Sequence, residues 1–183
     1  MQTNVSSDEQ IELAATLRLA ALDALDLLDA APEPMFDQVA QVASLLCDTP
    51  IALISLVDRD RLYFLARQGL DVVEVPNQQS LCRYAMVSPN QLLEVRDASV
   101  DARFADSPLV TGPPGIRFYA GAPLITSEGT AIGTLCVIDR RPRELSESQR
   151  VALDSLGQIT IELMEARQRE RLLRRELNDR ASG

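Results

Sequence analysis

FYAGAPLITSEGTAIGTLCVID, residues 118–139, decides the fold. Its arms FYAGAPLIT and AIGTLCVID flank the turn SEGT, the pattern of an antiparallel hairpin. Gly121, Ala122 and Gly133 stand where strands usually carry bulkier residues, and small residues there mark a bulge or a close backbone approach. Neighbouring strand residues face opposite sides, so of Phe118 and Tyr119 one faces the sheet core and the other borders any cavity beyond it. Cys136, inside the second arm, reads as core.

Upstream, IALISLVD (51–58) follows Pro50 and is rich in apolar and β-branched residues, which suits a strand buried on both faces. After the turn RDR, RLYFLARQG (61–69) returns as its hairpin partner. The stretch 71–114 is irregular. It holds one helix at about 81–87, a strand in LLEVRD (92–97), and the loop DASVDARFADSPLVTGPPG. Asp97, Asp101 and Asp106 are of the type that holds turns by accepting from nearby amides. Arg103 beside them reads as a structural ion pair or as a fork for a ligand carboxylate or phosphate.

Helices bound this region. Residues 1–8 read as disordered, and SSDE (6–9) can cap a helix with Ile11, Ala14, Leu17, Ala21, Leu25 and Leu28 on one stripe. That helix stops before APEP (31–34), where two prolines forbid continuation. A second runs over about 35–46, with Phe36, Val39, Val42, Ala43 and Leu46 on one side. After Ser146, a third spans about 147–180. Its residues Ala152, Leu156, Ile159, Leu163, Ala166, Glu170, Leu173 and Leu177 make a heptad seam broken only at Glu170. A helix that long outruns one small domain, and a second copy of itself is the simplest cover. The order predicts an α+β fold: an antiparallel sheet with terminal helices on one face and the insert on the other.

Composition narrows the chemistry. The 183 residues suit one domain with helical extensions. The chain has no His, no Trp and no Lys, so all 18 basic residues are Arg. This excludes a Ser-His or Cys-His dyad, an imidazole metal or haem ligand, a phosphoacceptor histidine and a lysine Schiff base. A net charge of -9 argues against nucleic acid or an anionic membrane as partner. RQRERLLRRELNDR, interleaved with Glu and Asp, reads as a solvated helix face. Cys47, Cys82 and Cys136 are odd in number and far apart in sequence, as reduced thiols of a cytoplasmic protein would be. No signal-like segment opens the chain.

The stretches ALDALDLLDAAPEPMFDQVAQVASLLCDTPIALISLVDRDRLYFLARQGLD, QQSLCRYAM, VRDASVDARFADSPLVTGPPGIRFYAGAPLIT and AIGTLCVIDRRPREL carry a resemblance. They resemble the bacterial GAF domains found ahead of diguanylate cyclases and sensor histidine kinases, from about Leu19 to Arg167. The resemblance implies a PAS-related central antiparallel sheet flanked by N- and C-terminal helices. It divides the chain into a start (1–18), the GAF domain (19–167) and a C-terminal helical extension (168–183). It also implies a cavity between sheet and insert. Many relatives read SFCAHAI where this chain reads SLCRYAM, with Arg83 and Tyr84 after Cys82. Without that His, bilin is disfavoured as a cofactor, as is haem, and the ligand is unknown. Free-methionine-sulfoxide reductases share the fold, but their cysteine and acidic motifs are absent at matching positions.

The leading expectation is therefore a non-enzymatic sensory domain, homodimeric through its terminal helices and coupled to a kinase or cyclase output. Its candidate pocket residues are Cys82, Tyr84, Arg103, Phe104, Phe118 and Tyr119, with no catalytic or metal-binding residue. The alternatives are a ligand-free dimerisation module, its pocket filled by Phe118, Tyr119 and Leu side chains, and a thiol redox sensor or enzyme centred on Cys82. Cys82 itself reads either as an inert packing group or as a reactive thiol.

Overall fold

Both expected hairpins form, and their inner arms pair to make the centre of one sheet. The computed structural model describes residues 7–77, 80–87 and 91–182. Of the disorder expected at 1–8, residues 1–6 lie outside the described residues, as do a cap from Ser6, the terminal Gly183 and the side chain of Ile11, whereas 7–8 already belong to the first helix. The strands are β1 (Ile51–Val57), β2 (Arg61–Gln68), β3 (Glu74–Pro76), β4 (Leu93–Val95), β5 (Phe118–Ile125) and β6 (Ala131–Asp139). They lie in the order β3-β2-β1-β6-β5-β4, every neighbouring pair antiparallel. The helices are α1 (Ser7–Leu25), α2 (Pro34–Cys47), α3 (Cys82–Ala85), α4 (Pro108–Thr111) and α5 (Glu147–Ser182).

Strand alternation divides the core in two. Ala52, Ile54 and Leu56 of β1, with Phe118, Ala120 and Ala122 of β5, face a layer built from α1, α2 and α5. Ile51, Leu53 and Val57, with Tyr119, Cys136 and Ile138, face the insert. All seven residues of β1 are buried, as a run apolar but for Ser55 requires. Each large side chain sealed this way contributes about 1.5–3 kcal/mol.

Gly133 is a close-approach glycine. A Cβ there would stand 1.9 Å from the Ser55 carbonyl oxygen on the neighbouring strand. Gly121 is small for another reason: the ring of Tyr119 lies back over it, its hydroxyl 2.3 Å from where a Cβ would be.

The helices differ from their expected faces in register. α1 ends at Leu25 rather than near residue 30, because Asp26 and Asp29 take left-handed conformations (φ 51° and 57°) that turn the chain. In α2 the buried stripe is Phe36, Val39, Ala40, Ala43 and Cys47, whereas Val42 and Leu46 are 42% and 44% exposed. α5 starts with a capping box: Ser146 Oγ accepts from the Gln149 amide at 3.2 Å, and Gln149 Oε1 accepts from the Ser146 amide at 2.9 Å. Its domain-facing stripe is Leu153, Gly157, Thr160, Ile161, Met164 and Arg167. The heptad seam borders this stripe: Leu156 and Leu163 pack against the domain core, while Ile159, Leu173 and Leu177 stand 50%, 59% and 63% exposed. β3 and α4 have no counterpart in the sequence reading, being too short to show a period.

Two arginines tie the layers. Arg167 donates to Glu33, at the start of α2, and to the carbonyls of Leu25 and Asp26. Arg61, opening β2, pairs with Asp58 at 2.9 Å, Glu74 of β3 at 2.7 Å and Asp29 of the α1–α2 turn at 2.6 Å. Its hydrogen bonds to these three carboxylates raise its pKa, Asp29 being the largest contributor.

Candidate functional site

The insert does not close down on the sheet. Between them lies a cavity of about 390 Å³, within the ~300–1,000 Å³ range of small-molecule sites. Its floor is the outer face of the sheet, with Ile51 and Leu53 of β1 and Leu62 and Phe64 of β2, positioned at alternate residues along the hairpin. Leu109 and Ile116 wall it from the insert. Its exposed lining residues are Val72, Pro113 and Arg140, which mark its mouth. Ser80, Cys82, Tyr119 and Arg140 bring the polar atoms to a lining otherwise without them.

Beside the floor sits a buried cluster of hydroxyls and thiols. Ser55 and Thr134 are cross-strand partners, their hydroxyl oxygens 2.8 Å apart, which explains two polar residues in the most buried strand pair. The Ser55 hydroxyl is also within 3.3 Å of Cys82 Sγ, and the Cys82 amide donates to Ser80 Oγ at 3.1 Å. The Tyr119 hydroxyl is buried within electrostatic reach of Cys82 and Thr134 but hydrogen-bonds to neither. The two thiols titrate as a pair. Hydrogen bonding from Cys136, then from Ser55 and Thr134, pulls Cys82 down to about 6 against the desolvation that opposes it. Cys136 is pushed well up by Cys82 and by burial. These donors are neutral, and no guanidinium contributes to the Cys82 shift.

Of the six candidate pocket residues, Cys82 and Tyr119 line this cavity. The other four stand elsewhere. Phe118 faces the helices, because strand alternation gives the insert face to Tyr119. α3 turns Cys82 and Ala85 inward, so Tyr84 is left 39% exposed, edge-on to Phe104 with ring centroids 4.9 Å apart. Phe104 is buried in the insert core rather than in the cavity wall. Arg103 lies over the Phe104 ring at 4.8 Å and pairs with Asp101 at 2.7 Å, so its fork is occupied within its own loop. Asp101 is correspondingly held below the usual carboxylate range, chiefly by the Arg103 hydrogen bond. Sequence reasoning missed the aliphatic floor and Arg140. In-phase positions 51, 53, 62 and 64 on paired strands were the available signal for the floor.

Among the described residues no cluster of His, Cys, Asp and Glu could hold a metal ion, and no helix is long and apolar enough to cross a membrane.

The GAF domain family matches residues 31–161. A cyclic di-GMP phosphodiesterase of Pseudomonas aeruginosa is 46% identical over 136 residues, which are 74% of this chain and 23% of that protein, so the chain spans less than a quarter of its curated relative. The GAF domain of an Acinetobacter phosphoenolpyruvate-protein phosphotransferase superposes with a TM-score of 0.60 at 17% identity, over 88% of this chain and 95% of that one. A free methionine-R-sulfoxide reductase of Neisseria meningitidis, solved with its substrate, gives 0.61 at 19%, over 85% and 93%. At such identities these likenesses speak to the fold alone. A six-stranded antiparallel sheet with its helix layer, matched across most of its length, places the chain in the GAF domain family.

Proposed function

We propose that this chain is a cytoplasmic sensory domain of bacterial signal transduction, not itself an enzyme, that binds a small molecule in the cavity and signals through its terminal helices. The observation that carries the reading is the cavity itself, an apolar space open at one rim, on one face of a sheet whose other face holds α1 and α5. A ligand that prefers one insert conformation shifts the population of helix poses, by no more than its difference in affinity for them. The exposed seam of α5 supports a homodimer as the element that reads the pose. The relative's name supports an output in cyclic di-GMP turnover, with a kinase or cyclase output as the alternative. Neither nucleic acid nor a membrane is a partner in this reading.

Native mass spectrometry of the protein from its own organism tests it. A mass excess lost on denaturation supports a bound ligand. A bare dimer that no small molecule alters, in mass or in helix spacing, leaves the ligand-free dimerisation module instead.

A second reading, thiol redox sensing at Cys82, is favoured by the Ser55 hydroxyl 3.3 Å from a sulfur that lines the cavity. It predicts that iodoacetamide modifies the protein with a rate rising through about pH 6, lost in Cys82→Ser. A rate that first rises near the ordinary thiol value sinks it.

A further inference from the structure

We propose that the cavity takes a medium-length aliphatic chain ending in a single acidic head group, with the chain on the floor and the head at Arg140. The inference rests on the sensory reading of the same cavity.

The floor selects against polar ligands. Ile51, Leu53, Leu62 and Phe64 offer a ligand no hydrogen bond, and the polar groups beside them are either engaged or buried out of reach. Ser80 Oγ accepts from the Cys82 amide and Cys82 Sγ lies against the Ser55 hydroxyl, while the Tyr119 hydroxyl, though unpartnered, is buried over Gly121 and offers the cavity no surface. A purine, ribose or phosphate placed there would surrender its hydration without replacement. A hydrocarbon surrenders nothing, and each methylene it buries tightens binding roughly three- to fourfold.

The mouth selects differently. Arg140 is the charged residue of the lining, and no carboxylate shares that lining. Its Nε donates to the Pro114 carbonyl at 3.0 Å, which fixes the guanidinium at the rim. Among the described residues neither of its terminal nitrogens has a hydrogen-bond or ion-pair partner. This contrasts with Arg61, Arg103, Arg143 and Arg150, which all engage carboxylates. A free fork beside an apolar hole matches a carboxylate at the end of an alkyl chain.

Isothermal titration of the purified chain with hexanoate, octanoate, decanoate, heptyl methyl ketone and cyclic GMP tests the assignment. The expected result is affinity rising roughly three- to fourfold per methylene along the acids until the cavity is full, with no binding of cyclic GMP. Arg140→Gln should weaken the acids about fivefold and leave the ketone unchanged, as a partly exposed ion pair implies. Arg140 is exposed, so this variant keeps its fold, and the chain-length series needs no variant. Equal effects of Arg140→Gln on acid and ketone, or none on either, overturn the acidic head. Cyclic GMP binding without acid binding overturns the aliphatic class and leaves the sensory reading standing. Binding of no probe, with no added mass on the protein from its own organism, removes both.

Discussion

Arg167 of α5 closes the open end of α1, its Nη1 donating to the Leu25 carbonyl at 3.1 Å. The last carbonyls of a helix have no partner within it, and here a side chain 142 positions away supplies one. Arg167→Ala strands the Leu25 carbonyl and the Glu33 carboxylate, and leaves the Asp26 carbonyl only the longer bond from Arg171 at 3.4 Å. The expected loss is about 2–3 kcal/mol in a denaturant titration. Arg167→Lys should recover less than half, since an ammonium cannot serve the carboxylate and two carbonyls in the geometry of a fork. A loss of no more than about 0.5 kcal/mol, ordinary for a surface change, would mean the clasp contributes nothing.

Gly133 and Gly129 should respond very differently to alanine. At Gly133 the added Cβ meets the Ser55 carbonyl, which cannot move without parting β1 from β6, so a loss at or above the upper end of the ~1–3 kcal/mol overpacking range is expected. Gly129 has a left-handed φ of 83° and open space around it, so only the backbone cost of ~1–2 kcal/mol applies. Paired denaturant midpoints decide the matter, and equal losses would contradict the register of β1 on β6.

The exposed positions of the seam on α5 should set the oligomeric state without supporting the domain. Ile159→Glu and Leu173→Glu change exposed side chains, and are expected to turn a dimer into a monomer in sedimentation while far-UV circular dichroism stays the same. Met164→Glu, on the buried stripe, should unfold the domain. A wild-type monomer at high micromolar concentration would refute the dimer.

Cys47 gives a pH prediction with a fixed sign. Burial alone pushes its thiol up to about 11. The fold keeps the thiol neutral while the unfolded chain lets it ionise, so its contribution is complete below about pH 8.5. It is lost as pH rises from there towards about 11. Wild type should therefore lose stability over that interval faster than Cys47→Ala, measured as the difference in denaturant midpoint at each pH. Parallel curves would show that Cys47 ionises as easily folded as unfolded.

The hairpins, the long helix and the α+β order were legible because each rests on a period sustained over many residues. α2 shows where that fails: Val42 and Leu46 are as apolar as Val39 and Ala43, and only the sheet beneath decides which flank is buried. The cavity was less legible still. Leu53 and Leu62 at its floor are the same kinds of residue as Ile54 and Leu56 in the solid core, and a filled space and an empty one are written alike. The aromatics misled for a related reason, since Phe118 and Tyr119 differ only in parity along the strand. Arg140 gave no sign in sequence, because its place at the rim follows from how the Pro113–Pro114 loop returns to the end of β6.

Arg61 gives the two faces of the sheet a connection that bypasses the sheet. It holds Glu74 on the strand that edges the cavity and Asp29 in the turn between α1 and α2, so one guanidinium touches both the cavity side and the helix side of the sheet. A lever of this kind separates hearing from speaking. If the chain is the sensor proposed above, Arg61→Gln is expected to leave the pocket able to fill and the helices able to pair, yet deaf to each other, so one arginine would decide whether occupancy means anything to the rest of the protein.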